Sequence, residues 1–148
     1  MEAIIFTGIQ GAGKTTFYLA RFAATHRHLS LDLLRTRQRE QDFLQECIAG
    51  RQSFVVDNTN PTAADRARYI APARAAGFRI VGYYFALPLA LCLARNAARP
   101  AEQRIPTPGV RAAHKRLQPP TLAEGFDALY VVRQDAEGAL AIELVTNH

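Results

Sequence analysis

The sequence predicts an α/β fold, three layers around a mainly parallel sheet, and three observations carry that prediction. Apolar, β-prone runs alternate with stretches of helical periodicity, a glycine-rich loop joins the first strand to the first helix, and residues 78–86 are apolar on both faces, as a central parallel strand is. A chain of 148 residues suits one core, so a single domain over 1–148 is expected.

Residues 3–7 form a short apolar run ending at Gly8, and Phe17, Leu19, Phe22 and Ala23 then share a broad helical face over 15–24. Residues 29–31 read as a second short strand ending at Asp32. Phe43, Leu44, Cys47 and Ile48 fall at helical spacing, and Gly50 stops that helix. Residues 53–56 form the next strand, which delivers Asp57-Asn58-Thr59-Asn60 to the loop beyond. Asn60-Pro61 reads as an N-cap with proline at the first helical position, opening a helix toward Gly77 that Pro72 should break or kink. Pro88 opens a helix to about residue 98, and Thr107-Pro108 opens another to about 117. The last two strands, 128–133 and 139–145, flank a hairpin turn at 135–138.

Hydrophobic residues make up 49% of the chain and are spread along it, so a real core is expected. No apolar run approaches the ~18 residues that span a bilayer, and the N-terminus lacks a signal-peptide pattern, which predicts no membrane association and a cytoplasmic location. Cys47 and Cys92 lie in helix-like apolar stretches and read as core, and the four histidines lack zinc-ligand spacing. The net charge of +5 comes from sixteen Arg and two Lys against thirteen acids. Such a surplus suits a polyanionic partner, and equally a solvated basic surface. No obligate protein partner is evident.

Gly8-Ile9-Gln10-Gly11-Ala12-Gly13-Lys14-Thr15 satisfies G-x-x-x-x-G-K-[ST] between a strand and a helix, which is the context a phosphate-binding loop requires. Its glycines let backbone N–H groups wrap a phosphate, and the helix N-terminus adds partial positive charge. Gly8, Gln10, Gly11, Ala12, Gly13, Lys14, Thr15 and Thr16 are therefore candidate ATP contacts. Lys14 suits the β- and γ-phosphates, and the Thr15 hydroxyl suits Mg²⁺. The loop alone does not distinguish kinases from GTPases or ATPases.

A hydroxyl acceptor needs a carboxylate to take its proton. Asp32, at a strand end, is the candidate base, with helix capping as the alternative. Arg35 lies three residues on, and on a helix the two would share a side, with Arg35 holding an anionic group of the acceptor. Asp57 resembles a Walker B acid for the metal, with an Asx turn as the alternative. Arg95, Arg99 and Arg104 sit between two helices, where a lid over about 95–106 would bring positive charge to the transferring phosphoryl; ordinary helix-end arginines are the alternative.

From the phosphate loop to about Phe126 the chain resembles the kinase module of the polynucleotide 5'-hydroxyl kinases. The residues that carry the resemblance are Gly11-Ala12-Gly13-Lys14-Thr15-Thr16-Phe17, Asp57-Asn58-Thr59-Asn60-Pro61, Arg66-Ala67-Arg68-Tyr69 and 119–126. The resemblance implies a P-loop kinase fold with Lys14 and Thr15 on phosphate and magnesium, Asp32 as general base, Arg35 on the substrate phosphate, Arg95 and Arg99 in the lid, and Asp57 at the catalytic centre. It also implies a 5'-hydroxyl nucleic-acid end as acceptor. Ser30-Leu31 precede the base where the polynucleotide enzymes tend to carry Asn-Arg. The wider group of similar short P-loop proteins includes kinases of sugars, antibiotics and nucleotide sugars, so a small-molecule alcohol is the alternative acceptor. A P-loop ATPase without an acceptor is a third reading.

Overall fold

The computed structural model describes residues 1–146, built on a six-stranded sheet in the order β2-β3-β1-β4-β5-β6. The strands are β1 (Glu2–Thr7), β2 (Arg27–Leu29), β3 (Phe54–Val56), β4 (Arg79–Phe85), β5 (Ala128–Gln134) and β6 (Leu140–Leu144). The first five pair in parallel, and β6 turns back antiparallel along β5. β1 lies between β3 and β4, so both its edges are paired, and with helices on either face Ala3 to Thr7 are all buried.

The two-residue period of the strands sorts side chains into two cores. Ala3 and Ile5, with Phe54, Val56 and Ile80, pack under α3 (Arg37–Ala49) and α4 (Ala63–Ala75) against Leu44, Cys47, Tyr69 and Ile70. Ile4 and Phe6, with Val55 and Val81, pack on the other face against Phe17 and Tyr18 of α1 (Lys14–Arg21), Cys92 of α5 (Leu89–Ala97) and Val110 of α6 (Thr107–Arg116). Helices therefore cover both sides of a mainly parallel sheet, as the sequence predicts. Both cysteines are buried free thiols. Among the described residues no helix is long and apolar enough to cross a membrane.

Several boundaries differ from expectation, each for a local reason. α1 ends at Arg21 rather than near residue 24, and the Tyr18 hydroxyl donates to the His26 carbonyl at 2.6 Å, steering the chain into β2. β2 ends at Leu29, where its register with Val56 of β3 stops. Ser30 then begins a single turn, α2 (Leu31–Leu34), so Asp32 is helical rather than a strand end. Asn60 is not an N-cap. Its backbone is left-handed, φ 46°, and its side-chain amide donates to the Phe6 carbonyl at 2.8 Å, while Thr62 and Asp65 form the capping box that opens α4. Pro72 neither breaks nor ends α4, because it falls near the last turn, where a missing N–H costs one bond. Pro88 precedes α5 as its cap.

α4 is locked to the segment after α6 by Arg66, which is fully buried. Its Nε donates to Glu124 at 2.7 Å, Nη2 to the other Glu124 oxygen at 3.1 Å, and Nη1 to the Asn60 carbonyl at 2.8 Å. Removing one partner of such a pair leaves a buried charge uncompensated. Glu124→Ala is expected to lower unfolding free energy by roughly 3 kcal/mol in urea denaturation. A change within about 0.5 kcal/mol, the range of an ordinary surface substitution, would show that the pair does not hold the fold.

Candidate functional site

The glycine loop leaves the end of β1 and is held from three sides. The Gly8 N–H donates to the Thr59 carbonyl at 3.1 Å, which ties the loop to the chain leaving β3. Gly11, φ 83°, presses on α5 so closely that a Cβ there would lie 2.2 Å from the Cys92 carbonyl oxygen; only glycine fits. Gly13, φ 85°, is the cap from which α1 starts, so the helix N-terminus opens into the loop. Lys14 folds back over this cradle, its Nζ donating to the Ile9 carbonyl at 3.1 Å. Gln10 Oε1 is buried there without a protein partner. A left-handed glycine cradle, a helix N-terminus and an ammonium together fit a triphosphate tail.

Asp57 emerges from β3 and is 6% exposed. Its Oδ2 accepts the Thr15 hydroxyl at 2.8 Å and lies 2.8 Å from His28 Nε2. Burial would raise its pKa, but the His28 hydrogen bond, the Lys14 charge and the Thr15 hydroxyl outweigh that and hold the carboxyl below its ordinary range. A hydroxyl and a carboxylate meeting in this way are hard oxygen donors of the kind Mg²⁺ prefers. Among the described residues there is no cluster of three or more His, Cys, Asp or Glu that could hold a metal. An ion at Thr15 and Asp57 would therefore complete its shell with water and phosphate oxygens, which is the usual habit of Mg²⁺.

His28 is a site residue that sequence reasoning missed. It stacks on Tyr18 with ring centroids 3.9 Å apart and planes 13° off parallel, and so is held against Asp57. It lies 29 positions from Asp57 in sequence, and only the pairing of β2 with β3 brings them together.

Asp32 is not at a strand end as expected but stands exposed on the α2 turn, and β3 separates β2 from β1, so strand adjacency does not put it beside the loop. Desolvation lowers the pKa of Lys14 and the Arg99 charge lowers it further, while the Asp57 charge and, more weakly, that of Asp32 raise it. Lys14, Asp57, Asp32 and Arg99 thus share one electrostatic neighbourhood. The expected helical pairing of Asp32 with Arg35 is not formed, because α2 ends at Leu34 and Arg35 stands outside it at φ 77°, ψ −37°.

Of the three arginines expected in a lid, Arg95 approaches the loop, its Nη1 3.4 Å from where a Gly13 Cβ would stand. With Gly13, Thr16, Phe17, Arg21 and Leu140 it lines a cavity of about 360 Å³. Arg104 instead donates through Nη2 to the Arg99 carbonyl at 2.9 Å and braces the connection. Asn96, another residue the sequence reading passed over, is buried and bridges across that connection. Its amide donates to the Ile105 carbonyl at 2.6 Å and its oxygen accepts the Ile105 N–H at 3.0 Å.

Among solved structures the chain is similar to a gluconokinase from Sinorhizobium meliloti 1021, at TM-score 0.61 and 17% identity over 89% of this chain and 82% of that one. It is also similar to a sugar kinase from Janibacter sp. HTCC2649, at TM-score 0.64 and 12% identity over 90% and 85%. Kti12 from Chaetomium thermophilum, in complex with ADP-AlF3, matches at TM-score 0.62 and 17% identity over 92% of each chain. These likenesses establish the fold, an α/β fold with a mainly parallel central sheet. Residues 4–120, most of the chain and the phosphate loop, Asp32, Asp57 and the arginines of 95–104 with it, match the family model AAA_33, described as an AAA domain, and the chain belongs to that family.

Proposed function

We propose that this chain is an ATP- and magnesium-dependent kinase that transfers the γ-phosphoryl group to the hydroxyl of a small molecule. The observation that carries the reading is the Thr15–Asp57 hydrogen bond at the start of α1, with a second carboxylate, Asp32, left exposed on the α2 turn. Asp57 is bonded to Thr15 on the metal side, while Asp32 stands on a separate turn, exposed and able to receive an alcohol. An alcohol with a pKa far above 7 needs a carboxylate to take its proton as it attacks.

In this reading the backbone of residues 11–15 and the Lys14 ammonium hold the β- and γ-phosphates. Thr15 and Asp57 would hold Mg²⁺, which when bound would supply charge neutralisation at the phosphate oxygens. Asp32 accepts the hydroxyl proton as the alcohol oxygen bonds to the γ-phosphorus. The bond from that phosphorus to the β–γ bridging oxygen breaks, and ADP leaves with the electron pair. Lys14, Arg95 and Arg99 balance the charge that develops, with 95–106 serving as the lid. Arg35 takes an anionic group on the acceptor by paired hydrogen bonds.

A small acceptor is supported by the likeness in fold to a gluconokinase and a sugar kinase. The nucleic-acid end implied by the family resemblance draws no support from these matches, and one exposed Arg35 serves a single acidic group on a small alcohol equally well.

The deciding experiment gives the protein γ-labelled ATP and Mg²⁺ with sugars, sugar acids, antibiotics, nucleotide sugars, a 5'-hydroxyl oligonucleotide, or no acceptor. Label on a small alcohol is the expected result. Label on the oligonucleotide alone would return the acceptor to nucleic acid, and ADP release with no labelled alcohol would end the kinase reading. Asp32→Asn is expected to cut kcat by about 10² to 10⁴ while nucleotide Kd, measured by calorimetry, stays within a few fold; turnover like that of the unaltered protein would remove Asp32 from the chemistry. For Lys14→Met, transfer should fall by at least about 10². The same variant should melt within a few degrees of the parent, because it removes the cost of desolvating a half-buried ammonium and at the same time withdraws a favourable charge from Asp57. A clear drop in Tm would show that Lys14 supports the empty fold.

A further inference from the structure

Asn58 follows Asp57 and belongs to none of the phosphate, metal or base roles above, yet every polar atom of its side chain is engaged. Its Oδ1 accepts the Leu31 N–H at 2.9 Å, and its Nδ2 donates to Glu40 Oε2 at 2.9 Å and to the Tyr69 hydroxyl at 3.1 Å. Behind it the Tyr69 hydroxyl donates to Glu40 Oε1 at 2.8 Å and also accepts from Arg37 Nη1 at 3.2 Å, while the same Arg37 nitrogen lies 2.8 Å from Glu40 Oε1. Glu40 and Tyr69 are 2% and 1% exposed, so this is a buried network in which the carboxylate receives donors from three residues. The amide has one possible orientation. Reversing it would set the Asn58 carbonyl oxygen against the Glu40 carboxylate and an N–H against the Leu31 N–H.

The Leu31 peptide is the joint between this network and the acceptor side. Its N–H is taken by Asn58, and its carbonyl accepts the Arg35 N–H at 2.7 Å. Between those two bonds lies the whole of α2, a helix of four residues with no buried side chain. Its packing is limited to the partly buried Leu31 and Leu34, the latter against the core under α3 and α4, and short helices are unstable without more. It also ends in a backbone conformation that non-glycine residues seldom adopt, at Arg35, and conformations of that kind persist only where neighbours impose them.

We infer that Asn58, held by Glu40 and Tyr69, is a positioning residue that fixes the α2 turn and so sets where Asp32 and Arg35 stand relative to Asp57 and the loops around it. Glu40 and Tyr69 belong to α3 and α4, elements that themselves rest on the sheet, so the rigidity of the core is passed to a turn that lies outside it. The catalytic meaning of this device rests on the kinase reading; the mechanical part does not.

The test is amide hydrogen exchange on the full chain. Asn58→Ala should quicken exchange at Leu31–Leu34 and Arg35 by about tenfold, the loss of roughly one hydrogen bond, while amides of β1, β3 and β4 exchange as before. Tyr69→Phe keeps the ring in the core and withdraws one partner from Asn58, and should give the same local pattern with a smaller rise. Unchanged exchange over 31–35 in both variants overturns the inference, and so does an equal rise across the sheet, which would mean ordinary stabilisation. With the acceptor identified, Tyr69→Phe should lower kcat by up to about 100-fold and leave KM for ATP alone, since a small misplacement of a base acts on the chemical step. Equal kcat in the two proteins would also overturn it. Should the unaltered chain phosphorylate no alcohol, the kinase reading falls, and the exchange result still decides whether Asn58 holds the turn.

Discussion

β3 lies between β1 and β2, so the residues leaving its end meet the loops of both neighbours, and each residue of that run takes hold of a different part of the cleft. Asp57 binds Thr15 at the start of α1 and His28 of β2. Asn58 binds the first peptide of α2. Thr59 offers its carbonyl to Gly8, and Asn60 sends its side-chain amide to the end of β1. Phosphate loop, metal-side acid and candidate base are thus registered against one another by one short segment, whose left-handed turn at Asn60 is braced by the fully buried Arg66.

The charges in the cleft follow from that registration. Bringing Lys14 and Asp57 into a buried space penalises both, and each eases the penalty on the other. Asp32 and Arg99 add one charge of each sign to the same neighbourhood, so the empty protein holds its charges near balance. A polyphosphate would shift that balance toward negative, where Lys14 and the arginines are more at ease. The arrangement accepts a cost in the free fold and recovers it with a bound anion, as sites built for transition-state charge commonly do.

Much of the scaffold was legible because its signals are local. The glycine loop, the buried β1 and the apolar β4 each announce themselves within ten residues or so, through conformational freedom at glycine and through apolar runs that only a covered strand would carry. The family resemblance drew attention to Asp57-Asn58-Thr59-Asn60-Pro61 and to Arg66 through Tyr69, and these stretches do meet in space. Their division of labour was another matter. Asn60 looked like a helix cap by its place before proline, and in the fold it ties down β1; Tyr69 was only part of a family-like stretch, and in the fold its hydroxyl completes the network behind Asn58.

The sequence by itself determined which chain segments become strands and helices and where a phosphate loop must stand, because those outcomes depend on side-chain periodicity and on the backbone freedom of a few glycines. Tertiary structure alone decided that His28 would face Asp57, that Asp32 would arrive on a separate turn across an intervening strand, and that Arg35 would be pressed into a conformation of positive φ. Each of those depends on strand order and on hydrogen bonds between residues far apart in the chain, and neither has a period or a spacing that a linear sequence displays.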